Sequence, residues 1–488
     1  DMFTYISKMR QGYEGNILYQ NRYTIEESGP TALFIFYTML GNIARVLNLN
    51  LIFCYFLSLF LLNILLIMFI YRFCSLFIFS ETEKEQNKEI SQKRIKWKIL
   101  VVILISASTG YSFFYKLFSL DNIKAFNLPA DVIYPEFTTF FSMMDISHFT
   151  FCIILMLLIY KLLLTLPLKT ENCIRLSICN FILALVHPFD YITVSSVSMS
   201  YLFIQVFIKK NKDYSNSLWK ILIAIGIGFI PILYMYYVLN NNEVLRLTLK
   251  NNNALNSPPV ISYLMGYGTN IIFAFLGIFY LVKKKIKISN NLLFIFTWII
   301  VNFALLYSPF PFQRRFMMGL QIPVIIFAVI TLKQLFTDKK LLFKTLIVSL
   351  VFFTVFPTSL IILYSKSTKF NLFIDSDIIS VFDWINKNNI SGKNFLSYEK
   401  LGLYTPAFSG NKVFLGHWGE TINFYSRKEL VKKFFSIESE KQIKFLKDLN
   451  IDYLIYGPDE KKLGRLHYSK SLEKVYSIGM YDLIKVIK

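Results

Sequence analysis

Charge is scarce in this chain, and acidic charge is scarcest. Only 17% of its 488 residues are Asp, Glu, Lys or Arg, and 31 acidic residues stand against 52 basic ones. Hydrophobic residues make up 55% and aromatics 17%. That balance excludes an ordinary soluble globular protein and indicates a polytopic membrane protein. A net charge of +21 in a soluble chain would point to nucleic acid. Beside long apolar runs it reads instead as basic loops on the cytoplasmic side of a membrane, so no nucleic-acid partner is expected. The five cysteines, Cys54, Cys74, Cys152, Cys173 and Cys179, lie in or beside apolar runs without CxxC spacing. This excludes a disulfide framework and a cysteine metal site, and leaves core packing. Internal repeats are lacking, as is low complexity beyond short Asn runs. No initiator Met and no signal peptide precede Asp1, so a preceding span is expected to be missing from the chain.

What is present is a series of apolar runs. A span needs roughly 20 apolar residues, and runs near 51–79, 98–116, 148–167, 174–187, 189–208, 220–239, 262–282, 291–308, 316–335 and 342–364 approach that length. The run 31–49 is broken by Gly41, Asn42 and Arg45 and reads as an interfacial helix, an extra span being the alternative. One set of loops is strongly basic, with Lys84–Lys98, Lys209–Lys220, Lys283–Lys287 and Lys333–Lys344 as its main stretches, whereas the alternate set carries only Lys124, Arg246, Lys250, Arg314 and Arg315. The first set is therefore assigned to the cytoplasm. Asp1–Pro30, the loops 117–147 and 308–315, and everything after 364 fall outside it. The predicted layout is a transmembrane domain over 1–364, of about ten spans, in the plasma membrane, followed by a soluble extracytoplasmic α/β domain over 365–488. In that domain a helical pattern over Asp377–Asn388 is followed by strand-like runs at Asn394–Ser397, Lys412–Leu415 and Tyr453–Tyr456. A helical stretch over Arg427–Leu449 separates the last two, and a hairpin closes the chain. Alternating strands and helices predict a largely parallel sheet.

Five constellations could carry chemistry. The opening segment, read as a loop, places Asp1 ahead of the membrane body, where a carboxylate can accept a proton from a bound hydroxyl; a helix cap is the structural alternative. The loop Asp121–His148 holds Asp121, Asp131, Glu136 and Asp145, a set able to bind a metal or sugar hydroxyls, or simply to be solvated. Glu136 and His148 lie nearest the following span and are the preferred site residues. His187-Pro-Phe-Asp190 sits between two apolar runs. Ionisable residues at membrane depth are costly, and Pro188 breaks the helix so that the turn can line a cavity; a tight reversal held by a His187–Asp190 hydrogen bond is the alternative. Arg314 and Arg315 form a rare basic pair on the non-basic face, suited to phosphate oxygens or to snorkelling among headgroups. Finally, three polar tips follow the predicted strands: Tyr398-Glu399-Lys400, the turn Gly416–Thr421 with His417 and Glu420, and Gly457–Glu460. In a parallel sheet they share one edge, where ligands bind; ordinary turn chemistry is the alternative.

The order of these features resembles the GT-C membrane glycosyltransferases, relatives of protein O-mannosyltransferases and aminoarabinose transferases. It runs through Asp1 and Tyr5, a Gly-containing turn, Asn21-Arg22-Tyr23-Thr24 and Pro30, then the acidic second outer loop, His187-Pro-Phe-Asp190, the Arg pair and a soluble C-terminal domain. The resemblance covers most of the chain and rests on architecture more than on any one motif. It implies that Asp1 serves as the catalytic base, that Arg314 or Arg315 grips the phosphate of a lipid-linked donor, and that Glu136, His148, His187, Asp190, His417 and Glu420 shape the substrate cavity. The second outer loop has no DxD, which puts the metal-dependent variety in doubt, and Asp375-Ser-Asp377 reads as a linker and helix cap rather than a metal motif; a divalent metal stays open as a cofactor. It also lacks the WWDYG-type motif of oligosaccharyltransferases, which argues against transfer to asparagine. The implied activity is transfer of a sugar from a polyprenyl-phosphate donor to a hydroxyl acceptor (glycan, lipid or protein) at the outer face, among membrane lipids. Two alternatives stand beside it. A transporter or flippase of lipid-linked saccharide would spread charges through the spans and show inverted repeats. A non-catalytic scaffold with an outer binding domain would need no lipid-shaped cavity.

Overall fold

The structure, a computed structural model, describes residues 2–78, 88–118, 130–253, 255–284, 288–336, 341–369 and 374–487. The chain divides into two compact units. One comprises Asp1–Phe56, Tyr234–Ala254 and Phe370–Lys488, and the other Leu57–Leu233 and Leu255–Lys369.

Six helices among the described residues are long and apolar enough to cross a membrane: Leu51–Ile78, Ser147–Leu164, Pro188–Ile208, Lys212–Asn241, Gln313–Phe336 and Phe343–Ser365. The chain is a multi-pass membrane protein. The remaining apolar runs are shorter or interrupted. The helix Lys88–Ala107 begins with charged turns, Thr170–Val186 and Asn290–Leu306 each have 17 residues, and the run at 262–282 is bent by 96° between Val260–Tyr267 and Thr269–Lys283. The bend sits on Gly268, whose φ of 53° is a left-handed conformation that only glycine adopts without steric cost. Gln313–Phe336 is the interior helix of this unit, with 94% of its apolar window buried. Thr331 on it donates to the Phe273 carbonyl at 2.6 Å.

The other unit is built on a five-stranded sheet: β1 (Asn394–Leu396), β2 (Lys412–Val413), β3 (Tyr453–Tyr456), β4 (Leu472–Ile478) and β5 (Tyr481–Val486), in the order β2-β1-β3-β5-β4. β1 pairs in parallel with β2 and β3, while β5 runs antiparallel to β3 and β4. Side chains alternate across a strand, and both faces here are apolar. Leu396, Leu454 and Ile484 enter one core with Val431, Phe434 and Leu446. Phe395, Ile455 and Leu483 enter the other with Ile378, Val381, Phe382 and Ile385, whose spacing marks the inner stripe of the helix Ser376–Lys387. The run read as one helix over Arg427–Leu449 is two, Phe424–Phe434 and Ser439–Asp448.

The opening segment is not a loop. It forms helix α1 (Met2–Tyr13), which packs on α2 (Ile35–Val46). Glycines permit the close crossing: a Cβ on Gly12 would fall 1.9 Å from the Thr38 carbonyl oxygen, and one on Gly41 1.9 Å from that of Met9. Phe3 at the start of α1 packs against Tyr404 and Phe408, with ring centroids 4.6 and 5.8 Å away. Tyr23 is buried in the sheet unit's own core. Far from being an appendage of the membrane domain, the N-terminal segment completes the sheet unit.

Candidate active site

Within the membrane unit, the loop of Glu136 meets the turn that carries Arg314 and Arg315. The Glu136 loop is anchored on the C-terminal side: Thr138 caps the helix Thr139–Asp145 by accepting the Phe141 N–H, and Phe137 stacks on Tyr267 at 4.3 Å. Arg314 and Arg315 stand on a 3₁₀ turn, Gln313–Met317, held by the Arg314 N–H donating to the Leu255 carbonyl at 3.0 Å. The carboxylate of Glu136, 2% exposed, accepts from Arg315 at 2.6 Å, with Arg314 at 3.9 Å. Two guanidiniums against one carboxylate leave the group with a net positive charge. The guanidiniums also lie near aromatic rings, Arg314 at 4.4 Å from Tyr134 and Arg315 at 5.9 Å from Phe189, within cation–π range. Among the described residues, Glu136 Oε2 and both Arg Nε atoms are buried without a hydrogen-bond partner. A buried polar group left unpaired is costly, so the cluster has donor capacity in reserve for an anion.

Phe189 links this cluster to the histidines. Pro188 starts the helix Pro188–Phe203, where its fixed φ and missing N–H fit the first position. His187 precedes it with extended backbone, and Asp190 falls in the first turn. The His187 ring lies 5.4 Å from Phe189 and 5.9 Å from His148, centroid to centroid. His187 Nδ1 is 3.0 Å from Asp190 Oδ2, yet among the described residues neither that nitrogen nor either Asp190 oxygen is engaged in a hydrogen bond. Asp190 is fully buried. The alternative of a reversal held by a His187–Asp190 hydrogen bond is thus met only by a close contact, without the hydrogen bond.

In the sheet unit, Glu420 is occupied. Lys8, 1% exposed, donates to one oxygen at 2.7 Å and the Tyr19 hydroxyl to the other at 2.8 Å, while Asn21 donates to the Glu420 carbonyl. The Lys8 ammonium sits 3.9 Å over the Phe34 ring. Burial pushes the Glu420 carboxyl up, but the attraction of Lys8 and the two donated hydrogen bonds outweigh it and hold the group below the usual glutamate range. Burial pushes the neighbouring His417 down to about 4, against the opposing pull of Glu420. His417 Nδ1 accepts the Gly419 N–H, and Thr421 donates to the Tyr23 carbonyl. The loops after β1 and β3 do meet, since Glu460 accepts from the Tyr398 N–H at 2.6 Å and from the Gly457 N–H at 3.1 Å. That carboxylate serves turn structure.

The structure therefore joins Glu136, His148, His187, Asp190, Arg314 and Arg315 in one cluster, with Tyr134 and Phe189 as members that sequence reasoning did not single out. Phe189 was signalled by its place inside His187-Pro-Phe-Asp190; Tyr134 carried no signal. His417 and Glu420 gather around Lys8 and Tyr19, and nothing in a pair 412 residues apart announces it. Asp1 and Asp121 lie outside the described residues. Asp131 does not join a carboxylate cluster: it is buried and accepts from the Gly110 N–H at 2.8 Å and the Ser112 hydroxyl at 2.6 Å. Among the described residues no group of three or more His, Cys, Asp or Glu side chains is placed to hold a metal ion.

No family model and no curated protein matches the chain. Solved structures do. The archaeal oligosaccharyltransferase AglB from Archaeoglobus fulgidus, in complex with an inhibitory peptide and a dolichol-phosphate, matches over 93% of this chain at 12% identity and a TM-score of 0.55. The Archaeoglobus fulgidus oligosaccharyltransferase in complex with Zn and sulfate matches over 93% at 13% identity and a TM-score of 0.52, and its apo form over 93% at 12% and 0.54. The chain spans 63–65% of the length of those chains. At such identity the likeness is one of fold. It is the GT-C-like fold, polytopic and helical with a C-terminal α/β domain, that the order of polar segments implied.

Proposed function

We propose that the protein is a glycosyltransferase that moves a sugar from a polyprenyl-phosphate-linked donor to a hydroxyl acceptor. The reaction takes place on the face opposite the basic loops, where the sheet unit is also assigned. The observation that carries the reading is the buried group of Arg314, Arg315 and Glu136, net positive and with donors in reserve, in a fold whose solved counterpart is complexed with a dolichol-phosphate. The bond from sugar C1 to the donor phosphate oxygen breaks as the acceptor oxygen bonds to C1. The electron pair leaves on the phosphate, whose charge Arg315 and Arg314 receive through charge-assisted hydrogen bonds. Glu136 orients the two guanidiniums, and His148, His187 and Asp190 line the adjoining space. The acceptor's proton goes to a carboxylate; Asp1 holds that role by resemblance. Glu420 and His417 act at one remove: the Lys8–Glu420 bond secures α1, the helix that begins at the residue after Asp1. No step is routed through a metal.

The test incubates the purified full chain with a radiolabelled polyprenyl-phosphate sugar and hydroxyl acceptors. Arg315→Gln is expected to abolish sugar transfer to the acceptor with the protein still folded, and Asp1→Asn to abolish turnover while donor binding persists. Full transfer by Asp1→Asn would sink the base assignment. Full transfer by Arg315→Gln would remove the phosphate clamp.

A further inference from the structure

A groove on the membrane unit, remote in sequence from the cluster above, has the chemistry of a lipid site. It lies between α3 (Leu51–Ile78) and α4 (Lys88–Ala107). Ile67, Met68, Ile99, Val102 and Ile103 line it, with Tyr71 and Arg72 in its wall, and it encloses about 460 Å³. Its aliphatic walls are exposed, Met68 by 46% and Ile103 by 45%. On α3, Arg72 lies about 11 Å past the midpoint at ~1.5 Å per residue. A hydrocarbon core about 30 Å thick extends about 15 Å from its centre, so in a centred helix the Arg72 backbone is still inside it. A cation there must reach outward to the headgroups or be met by an anion. Among the described residues Arg72 has no carboxylate partner. From α4, Lys98 extends its ammonium to 5.2 Å over the ring of Tyr71, the residue next to Arg72. Two cations and an amphipathic ring thus stand beside an aliphatic trough. Lys98 stands at the middle of α4, just past a charged first half that carries Lys88, Lys93, Arg94 and Lys96 against Glu89; anionic lipids are drawn to such Lys and Arg.

We propose that this groove binds one anionic diacyl phospholipid, its phosphate on Arg72 and Lys98 and an acyl chain along Ile67, Met68, Ile99, Val102 and Ile103. Charge complementarity selects the headgroup, and the aliphatic walls select a chain over a soluble phosphate. The site is separate from the donor-phosphate group around Glu136, and its test does not depend on that assignment. The full chain is purified in mild detergent with phosphatidylglycerol, phosphatidylcholine or polyprenyl phosphate, and retained lipid is read by native mass spectrometry. Phosphatidylglycerol is expected to be retained over phosphatidylcholine and to be weakened by salt in the unmutated protein, a measurement that needs no variant. Arg72→Gln with Lys98→Gln should weaken retention about thirtyfold, from two near-surface cations. Ile103→Trp should displace the lipid while both cations remain. Equal retention of the two phospholipids, salt-insensitive retention, unchanged retention in the double variant, or displacement of phosphatidylglycerol by polyprenyl phosphate would each overturn the proposal.

Discussion

Glu420→Gln tests the most consequential contact in the sheet unit. The substitution keeps size and one acceptor for Tyr19 but removes the anion facing Lys8. Lys8 is 2% exposed at its side chain and Glu420 12%, so the remaining ammonium cannot be compensated by water. Breaking a buried pair from one side costs about 3–5 kcal/mol, against under about 1 kcal/mol for an exposed pair. Lys8→Met should cost a similar amount, because burial then drives the lone Glu420 carboxyl upward. The double variant replaces charge on both sides and should cost far less than the sum, leaving a coupling of at least about 2 kcal/mol. Urea unfolding in mild detergent, followed by the fluorescence of Trp384 and Trp418, measures all three. Loss of the pair should also free α1, so that trypsin cuts at Lys8 and Arg10 in the single variants before the sheet unfolds. A cost for Glu420→Gln below about 1 kcal/mol, or strict additivity in the double variant, would refute the reasoning.

Further outcomes follow from the same geometry. His417 titrates near 4 when folded against about 6.5 when free, so the unfolded chain takes up the proton first. Stability should be complete above about pH 6.5 and fall by up to about 3 kcal/mol towards pH 4, a slope that His417→Gln removes in pH-dependent urea titrations. Gly41→Ala should destabilise the α1–α2 crossing by about 3 kcal/mol, because its Cβ would stand 1.9 Å from the Met9 carbonyl oxygen; a thermal melt unchanged by the substitution would contradict that packing. Arg315→Lys keeps the charge but loses the planar fork that holds Glu136 at 2.6 Å. Binding of polyprenyl phosphate, measured by equilibrium dialysis, should weaken roughly tenfold.

Much of the architecture was legible in the sequence because its signals are local. Apolar runs of span length are visible one residue at a time, and Phe395-Leu396 and Leu454-Ile455 announce buried strands by type alone. His187-Pro-Phe-Asp190 stood out through the cost of charge beside apolar runs, and Arg314 with Arg315 through their isolation among loops poor in basic residues. The opening segment misled because its polar residues suggest a loop. Thr4, Ser7, Lys8 and Gln11 are in fact buried; Lys8 is received by Glu420, 412 residues on, and Gln11 by Gln20 in the segment that follows the helix. The helix over Lys88–Ala107 was read too late because its charged first turns hide its start.

By itself, then, the sequence determined a multi-pass helical chain ending in an α/β domain, since burial in lipid or in a two-faced sheet selects residue types at fixed local spacing. Tertiary structure alone decided that Arg315 meets Glu136 across 179 positions, that Lys8 is consumed by Glu420, and that Asp131 closes a turn. A hydrogen bond or ion pair acts over a few ångströms whatever the separation along the chain, and only the folded backbone sets which side chains come that close.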